Sequence, residues 1–186
     1  MGILFHDRVM GIAQSLTAIV LGLAAPATAV PQNTDSSALQ AVASSCAGAT
    51  TPTGGVPAML CGVNVVRRAY RLRALRGSGT LNRSSLLKAD AIRRCGFTHT
   101  PCGMRFTRTF QSAGYLPARA FGENLAWGQA GLGSPANMLG MWLNSPGHRA
   151  NLLSRTWRDV GIATLQGRMF GHDGVTLWVA QFGRRR

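Results

Sequence analysis

The sequence predicts an α+β fold, and three observations carry that prediction. Apolar residues recur at three- and four-residue spacings through much of residues 59–153, which is the period of a helix. Those stretches open at Ser-Pro pairs (Ser134-Pro135, Ser145-Pro146) and close at glycines (Gly77, Gly96, Gly114), the residues that start and stop helices for steric reasons. Beyond residue 159 the period changes to β-branched and aromatic runs, the texture of strands.

Taken in order, the chain begins with a polar start to Arg8, a mostly apolar run from Val9 to Ala25, and the small-x-small triplet Ala27-Thr28-Ala29. This pattern predicts a signal peptide over residues 1–29. Gln14, Ser15 and Pro26 interrupt the run and argue against a membrane-spanning helix. No later segment has transmembrane length and no cysteine follows the apolar run, so the expectation is a secreted, extracellular chain without a lipid anchor. Residues 30–58 are rich in Ser, Thr, Ala, Gly and Pro and read as a low-order linker. The domain proper is expected over 59–186. Within it, helices are predicted over residues 59–76, 82–95, 107–113, 135–144 and 146–153. Strands are predicted over 121–127, 160–165 and 175–182, the last two joined as a hairpin through Gly167 to Gly174.

Charge narrows the partners. The chain has 20 Lys+Arg against 6 Asp+Glu, a formal net charge of +14. Signal removal takes one charge of each sign (Asp7 and Arg8) and leaves that balance unchanged. Such a surface favours anionic surroundings, here cell-wall polymers or lipid headgroups. Nothing in the pattern specifies a dedicated nucleic-acid role, and a monomer is expected. Lys88 is the only lysine and Glu123 the only glutamate. Four cysteines in an exported chain predict two disulfides, with three connectivities open. The pairing Cys95–Cys102 closes a short loop, and Cys46–Cys61 staples the lead-in to the domain.

Two histidines stand in positions suited to chemistry. His99 lies inside the Cys95–Cys102 loop, and His148 is the third residue after Ser145 at a helix start. Free backbone N–H groups and the helix dipole oppose protonation there and favour neutral imidazole. Glu123 sits in Gly122-Glu123-Asn124-Leu125-Ala126-Trp127-Gly128, among apolar neighbours.

The ordered set Leu60, Asn64 and Arg67, then Phe97-Thr98-His99, GENLAWG, the run from Trp142 to Leu153 (WLNSPGHRANLL), Val160-Gly161-Ile162-Ala163 and Trp178-Val179-Ala180-Gln181-Phe182-Gly183 resembles the CAP superfamily. That superfamily comprises cysteine-rich secretory, antigen-five and pathogenesis-related proteins, and the match is similar to its bacterial exported SCP-like members. The resemblance implies a three-layer α-β-α sandwich with a small antiparallel sheet. It also implies an open cleft holding two His and two acids, which in some members take zinc or another divalent cation. His99, Glu123 and His148 match three of the four. Ser145 stands where the second acid usually falls, so the tetrad is a triad.

Three readings of that triad follow. His99 and His148 hold a cation, with Glu123 behind one imidazole or as a further ligand. Alternatively, Ser145, His148 and Glu123 form a nucleophile set, although the Ser145 hydroxyl is expected to be occupied in capping the helix. In the third reading the residues form a buried polar network without an ion. Trp127, Ser145 and Arg149 are expected to line the cleft, with a salt bridge from Arg149 to Asp159 or Asp90 as the structural alternative. The function expected is extracellular binding or interaction with a lipid, cell-wall or host-interface ligand. The alternative is a metal-assisted, peptidase-like hydrolase using Glu123 as general base.

Overall fold

Strand alternation decides the architecture. Along the last strand Leu177 and Val179 face one way while Trp178, Ala180 and Phe182 face the other, and all five are buried. A strand apolar on both faces needs helices on both sides. The computed structural model describes residues 33–185, so the predicted signal peptide 1–29 lies outside the described residues. The element order is α1 (Asn33–Ser45), α2 (Gly55–Ala69), β1 (Arg76–Gly77), α3 (Gly79–Cys95), α4 (Arg108–Ser112), β2 (Ala120–Gln129), α5 (Pro135–Asn144), α6 (Pro146–Leu152), β3 (Asp159–Met169) and β4 (His172–Arg184). The sheet order is β1-β3-β4-β2, antiparallel except for the short β1–β3 pair.

Helices α1, α2, α5 and α6 cover one face, where Val42, Met59, Val63, Leu139, Trp142 and Leu152 pack on Val160, Trp178 and Phe182. Helices α3 and α4 cover the other, through Ala89, Ile92, Leu81 and Phe110. This is the expected α+β, three-layer α-β-α sandwich. Helix α3 lies unusually close to the sheet. A Cβ placed on Gly161 would stand 2.0 Å from the Leu81 carbonyl carbon, so only glycine fits there. Ser85 Oγ donates to the Gly161 carbonyl at 3.0 Å, and the Ile162 amide donates to Asn82 Oδ1 at 2.9 Å. These contacts clamp the helix that carries Lys88 and leads to His99.

Three expectations change. Residues 33–45 are helical rather than low-order. Ala38, Val42 and Cys46 recur every fourth residue and bury against α2 and α5, a stripe too small in side-chain volume to stand out from composition. The helix expected over residues 59–76 runs instead from Gly55 to Ala69. Arg71 takes a left-handed φ of 53°, and the Asn64 side chain clasps both backbone groups of Leu75, turning the chain outward into β1. The hairpin is tighter than expected. Phe170 (φ 57°) and Gly171 (φ 81°) make a two-residue turn with both residues left-handed, whose twist suits the strands.

Both disulfides form with the expected pairing. Cys46–Cys61 joins the end of α1 to α2 across a separation of 15 residues. Replacing this pair with alanines is expected to lower unfolding free energy by about 3 kcal/mol, measured by urea titration.

Candidate functional site

Glu123 lies on β2, an edge strand, where consecutive residues point to opposite layers of the sandwich. The Glu123 side chain turns toward α3 and Asn124 toward α6, so two adjacent residues tie two separate helical layers to one place. Gly122 completes the arrangement by its lack of a side chain. A Cβ there would stand 2.9 Å from the Trp157 ring and 3.2 Å from Asn151 Oδ1.

The Glu123 carboxylate is fully enclosed. His99 Nδ1 stands 2.8 Å from Oε1, Gln181 Nε2 donates to Oε2 at 2.7 Å, and Lys88 Nζ lies 3.5 Å from Oε2. Both side chains of the Lys88–Glu123 pair are 0% exposed. Lys88 Nζ also donates to the His99 carbonyl at 2.7 Å, so one ammonium fixes both the acid and the histidine loop. Burial pushes the Lys88 pKa down, and the Glu123 charge opposes that shift. A carboxylate only accepts, so His99 Nδ1 is the donor of the His99–Glu123 hydrogen bond.

His148 approaches from the opposite layer. Asn124 Nδ2 donates to its carbonyl at 2.9 Å, and Ser145 Oγ and His148 Nδ1 share a hydrogen bond of 2.9 Å. Ser145 precedes α6, yet its hydroxyl makes no capping bond, contrary to expectation, because the histidine takes it instead. Asn151 braces the floor, with Nδ2 donating to the Glu123 carbonyl at 3.2 Å and to Asn124 Oδ1 at 3.1 Å. His99, Phe106, Gly122, Glu123, Ser145, Gly147, His148 and Asn151 enclose an open cavity of about 350 Å³. The structure therefore brings His99, Glu123, Ser145 and His148 together, as expected.

Two expected lining residues stand elsewhere. Trp127 is buried four residues further along β2, where it packs on Phe170 and His172. Arg149 donates to Asp35 Oδ2 at 2.7 Å, to the Tyr70 hydroxyl at 2.8 Å and to the Leu143 carbonyl. Its acid is neither Asp159 nor Asp90, because α1, read as linker, carries Asp35 to it. Burial raises the Asp35 carboxyl, but the Arg149 and Tyr70 hydrogen bonds outweigh it and leave the pKa below its ordinary value. Lys88, Gln181, Asn124 and Asn151 are the residues that sequence reasoning passed over. Lys88 offered a signal, as a lone lysine on the inward face of a helix.

The chemistry divides into two pairs rather than one relay. Glu123 hydrogen-bonds His99, and Ser145 hydrogen-bonds His148, so Glu123 is engaged away from the serine–histidine pair that a nucleophile set would have it support. A divalent cation also suits the donors poorly. Both Glu123 oxygens are engaged, one by an ammonium, and among the described residues no three His, Cys, Asp or Glu side chains group to hold an ion. Two imidazoles without a carboxylate make a weak zinc site.

The fold defines a class of protein: an α-β-α sandwich whose edge-strand glutamate and two histidines from opposite layers line one cavity. The chain belongs to the CAP, or cysteine-rich secretory protein, family, whose pattern matches residues 61–182. Among solved structures it is similar to an outer surface protein of Borrelia burgdorferi, with TM-score 0.59 and 22% identity over 69% of this chain and 90% of that one. An extracellular protein from Bacillus anthracis containing an SCP domain matches with TM-score 0.55 and 21% identity, over 68% of this chain and 39% of that one. A cysteine-rich secretory protein from Staphylococcus aureus matches with TM-score 0.53 and 16% identity, over 68% of this chain and 37% of that one. At these identities the likeness is one of fold. No curated protein sequence matches the chain. Among the described residues no helix is long and apolar enough to cross a membrane.

Proposed function

We propose that this is an extracellular binding protein, drawn to anionic surroundings by its charge, with the cleft serving as a rigid recognition pocket and not a hydrolytic centre. The observation that carries this reading is the enclosure of Glu123. A general base must reach the proton it removes and release it again. Glu123 is sealed from solvent, accepts from His99 and Gln181, and is neutralised by Lys88. Those contacts suit a residue that holds His99 in one orientation. The exposed half of His99, the Ser145–His148 pair and Phe106 then offer a ligand polar and aromatic contacts on a fixed frame. The extracellular setting is supported by two disulfides and by structural relatives described as outer-surface or extracellular proteins.

The test compares the full chain with Glu123→Gln on a panel of ester and peptide substrates, with and without added zinc. Neither protein is expected to turn over any of them. Hydrolysis by the wild type that disappears in Glu123→Gln would establish the hydrolase instead.

A further inference from the structure

The two disulfides sit in opposite settings. Cys46 is 3% exposed and Cys61 is half-buried, whereas Cys95 and Cys102 are both exposed. The exposed bridge closes the shorter loop, with a separation of 7 residues against 15, so opening it gives up less of the entropic constraint that a disulfide supplies. Its second half-cystine is also strained. Cys102 takes a left-handed φ of 56°, a region that residues with a Cβ rarely occupy. Exposed and strained disulfides are the ones that thiols open, while buried, relaxed ones resist.

This bridge holds the loop that presents His99 to the cleft. Glycines flank it, Gly96 with φ 100° and Gly103 with φ 68°, and neither would meet any atom within 4 Å if it carried a Cβ. Both ends of the loop are therefore free of close packing and able to turn. Inside the loop, Phe97 packs edge-on against Phe170 at 5.9 Å and Pro101 is buried, while Thr98, His99 and Thr100 are exposed. His99 itself is tied inward by two hydrogen bonds, one from Lys88 Nζ to its carbonyl and one from its Nδ1 to Glu123. The covalent bridge beside them keeps that segment closed over α3. Local charge favours an attacking thiolate. Arg94, Arg105 and Arg108 stand near the bridge in the chain, and no acid occurs between Asp90 and Glu123.

We infer that Cys95–Cys102 is a site of thiol–disulfide exchange with a low-molecular-weight extracellular thiol, and that its opening releases His99 from the cleft. The small thiol reacts as its thiolate. Its sulfur bonds to one half-cystine as the S–S bond breaks, and the other half-cystine leaves as a thiolate. A second small thiol then attacks the mixed disulfide. Both cysteines end reduced, the small thiol ends as its own disulfide, and two electrons have passed to the protein. Each proton lost by a small thiol is regained by a cysteine through solvent. Opening also frees Cys102 from its left-handed backbone, which favours the open loop. That this regulates recognition rests on the binding reading above. The experiment reads the sulfurs and the imidazole themselves, so its failure leaves that reading standing.

The test incubates the full chain under native conditions with reduced glutathione, quenches samples with iodoacetamide and locates the modified cysteines by peptide mass spectrometry. Cys95 and Cys102 are expected to react at least about tenfold faster than Cys46 and Cys61. In parallel, the ring-nitrogen NMR signals of His99 and His148 are followed as the bridge opens, with Cys95→Ser/Cys102→Ser as a permanently open form. The wild type opened by glutathione carries the same readout should that variant fail to fold. The His99 signals are expected to move toward those of a histidine in an unfolded peptide, while those of His148, held by Ser145 in the opposite layer, stay in place. Equal rates at the two bridges, or faster opening of Cys46–Cys61, overturn the inference. His99 signals that do not move overturn it too, because Lys88 and Glu123 then hold the loop unaided. Loss of the His148 signals together with those of His99 also overturns it, since the bridge is then a staple of the whole fold.

Discussion

Lys88→Met is expected to lower unfolding free energy by about 3–5 kcal/mol, the scale for leaving one partner of a buried ion pair uncompensated. The substitution keeps the apolar stem and removes the ammonium, which separates charge from volume. Its effect is large because the Glu123 side chain is buried. The carboxylate would retain Gln181 and His99 but lose the single positive charge enclosed with it. The His99 carbonyl would lose its 2.7 Å donor at the same time, loosening the loop that presents the imidazole. Urea unfolding measures the loss. A change below about 1 kcal/mol, the scale of an exposed pair, would mean that water reaches the site.

Gly161→Ala is the second large effect, expected at about 3 kcal/mol, the upper end for forcing volume into a packed core. The added methyl meets the Leu81 carbonyl carbon at 2.0 Å and the Asn82 nitrogen at 2.4 Å, both backbone atoms that no rotamer change moves aside. Relief requires α3 to lift from β3, which breaks the Ser85 and Asn82 clamps and carries Lys88 away from Glu123. The variant is therefore expected to lower the melting temperature and also to increase hydrogen exchange in the Cys95–Cys102 loop. Unchanged protection in that loop would show that α3 yields locally without passing strain to the site.

Sequence reasoning reached the parts of this molecule that are encoded locally. Ser134-Pro135 and Ser145-Pro146 marked α5 and α6 to within one residue at either end, because a proline at the first helical position needs no partner beyond its own turn. The change of period marked β3 and β4 for the same reason, though not their tight turn. His99, Glu123 and His148 were legible as a constellation only through the resemblance of their motifs to a family, since 24 residues separate His99 from Glu123 and 25 more lead to His148. What stayed hidden depends on tertiary pairing. The partner of Lys88 lies on another element, so a lone lysine on the inward face of α3 could be noticed but not paired. Helix α1 shows the same limit. Its inner face is built of alanine, valine and a half-cystine, so composition resembled a linker, and the acid of Arg149 was sought elsewhere. Ser145 was misjudged because two local bonds compete for one hydroxyl, and the histidine three residues on outbids the backbone amide.

Glu123 as a fixed, neutralised strut is the claim on which the proposed function turns, and a double-mutant cycle tests it most directly. Urea unfolding of wild type, Lys88→Met, Glu123→Gln and the double variant gives the coupling between the two side chains. An enclosed ion pair predicts that the double variant loses about 2 kcal/mol less than the sum of the single losses, because removing both charges leaves neither one stranded. Additive losses, with coupling within about 0.5 kcal/mol of zero, would show that Lys88 does not neutralise Glu123 and would return the glutamate to candidacy as a base.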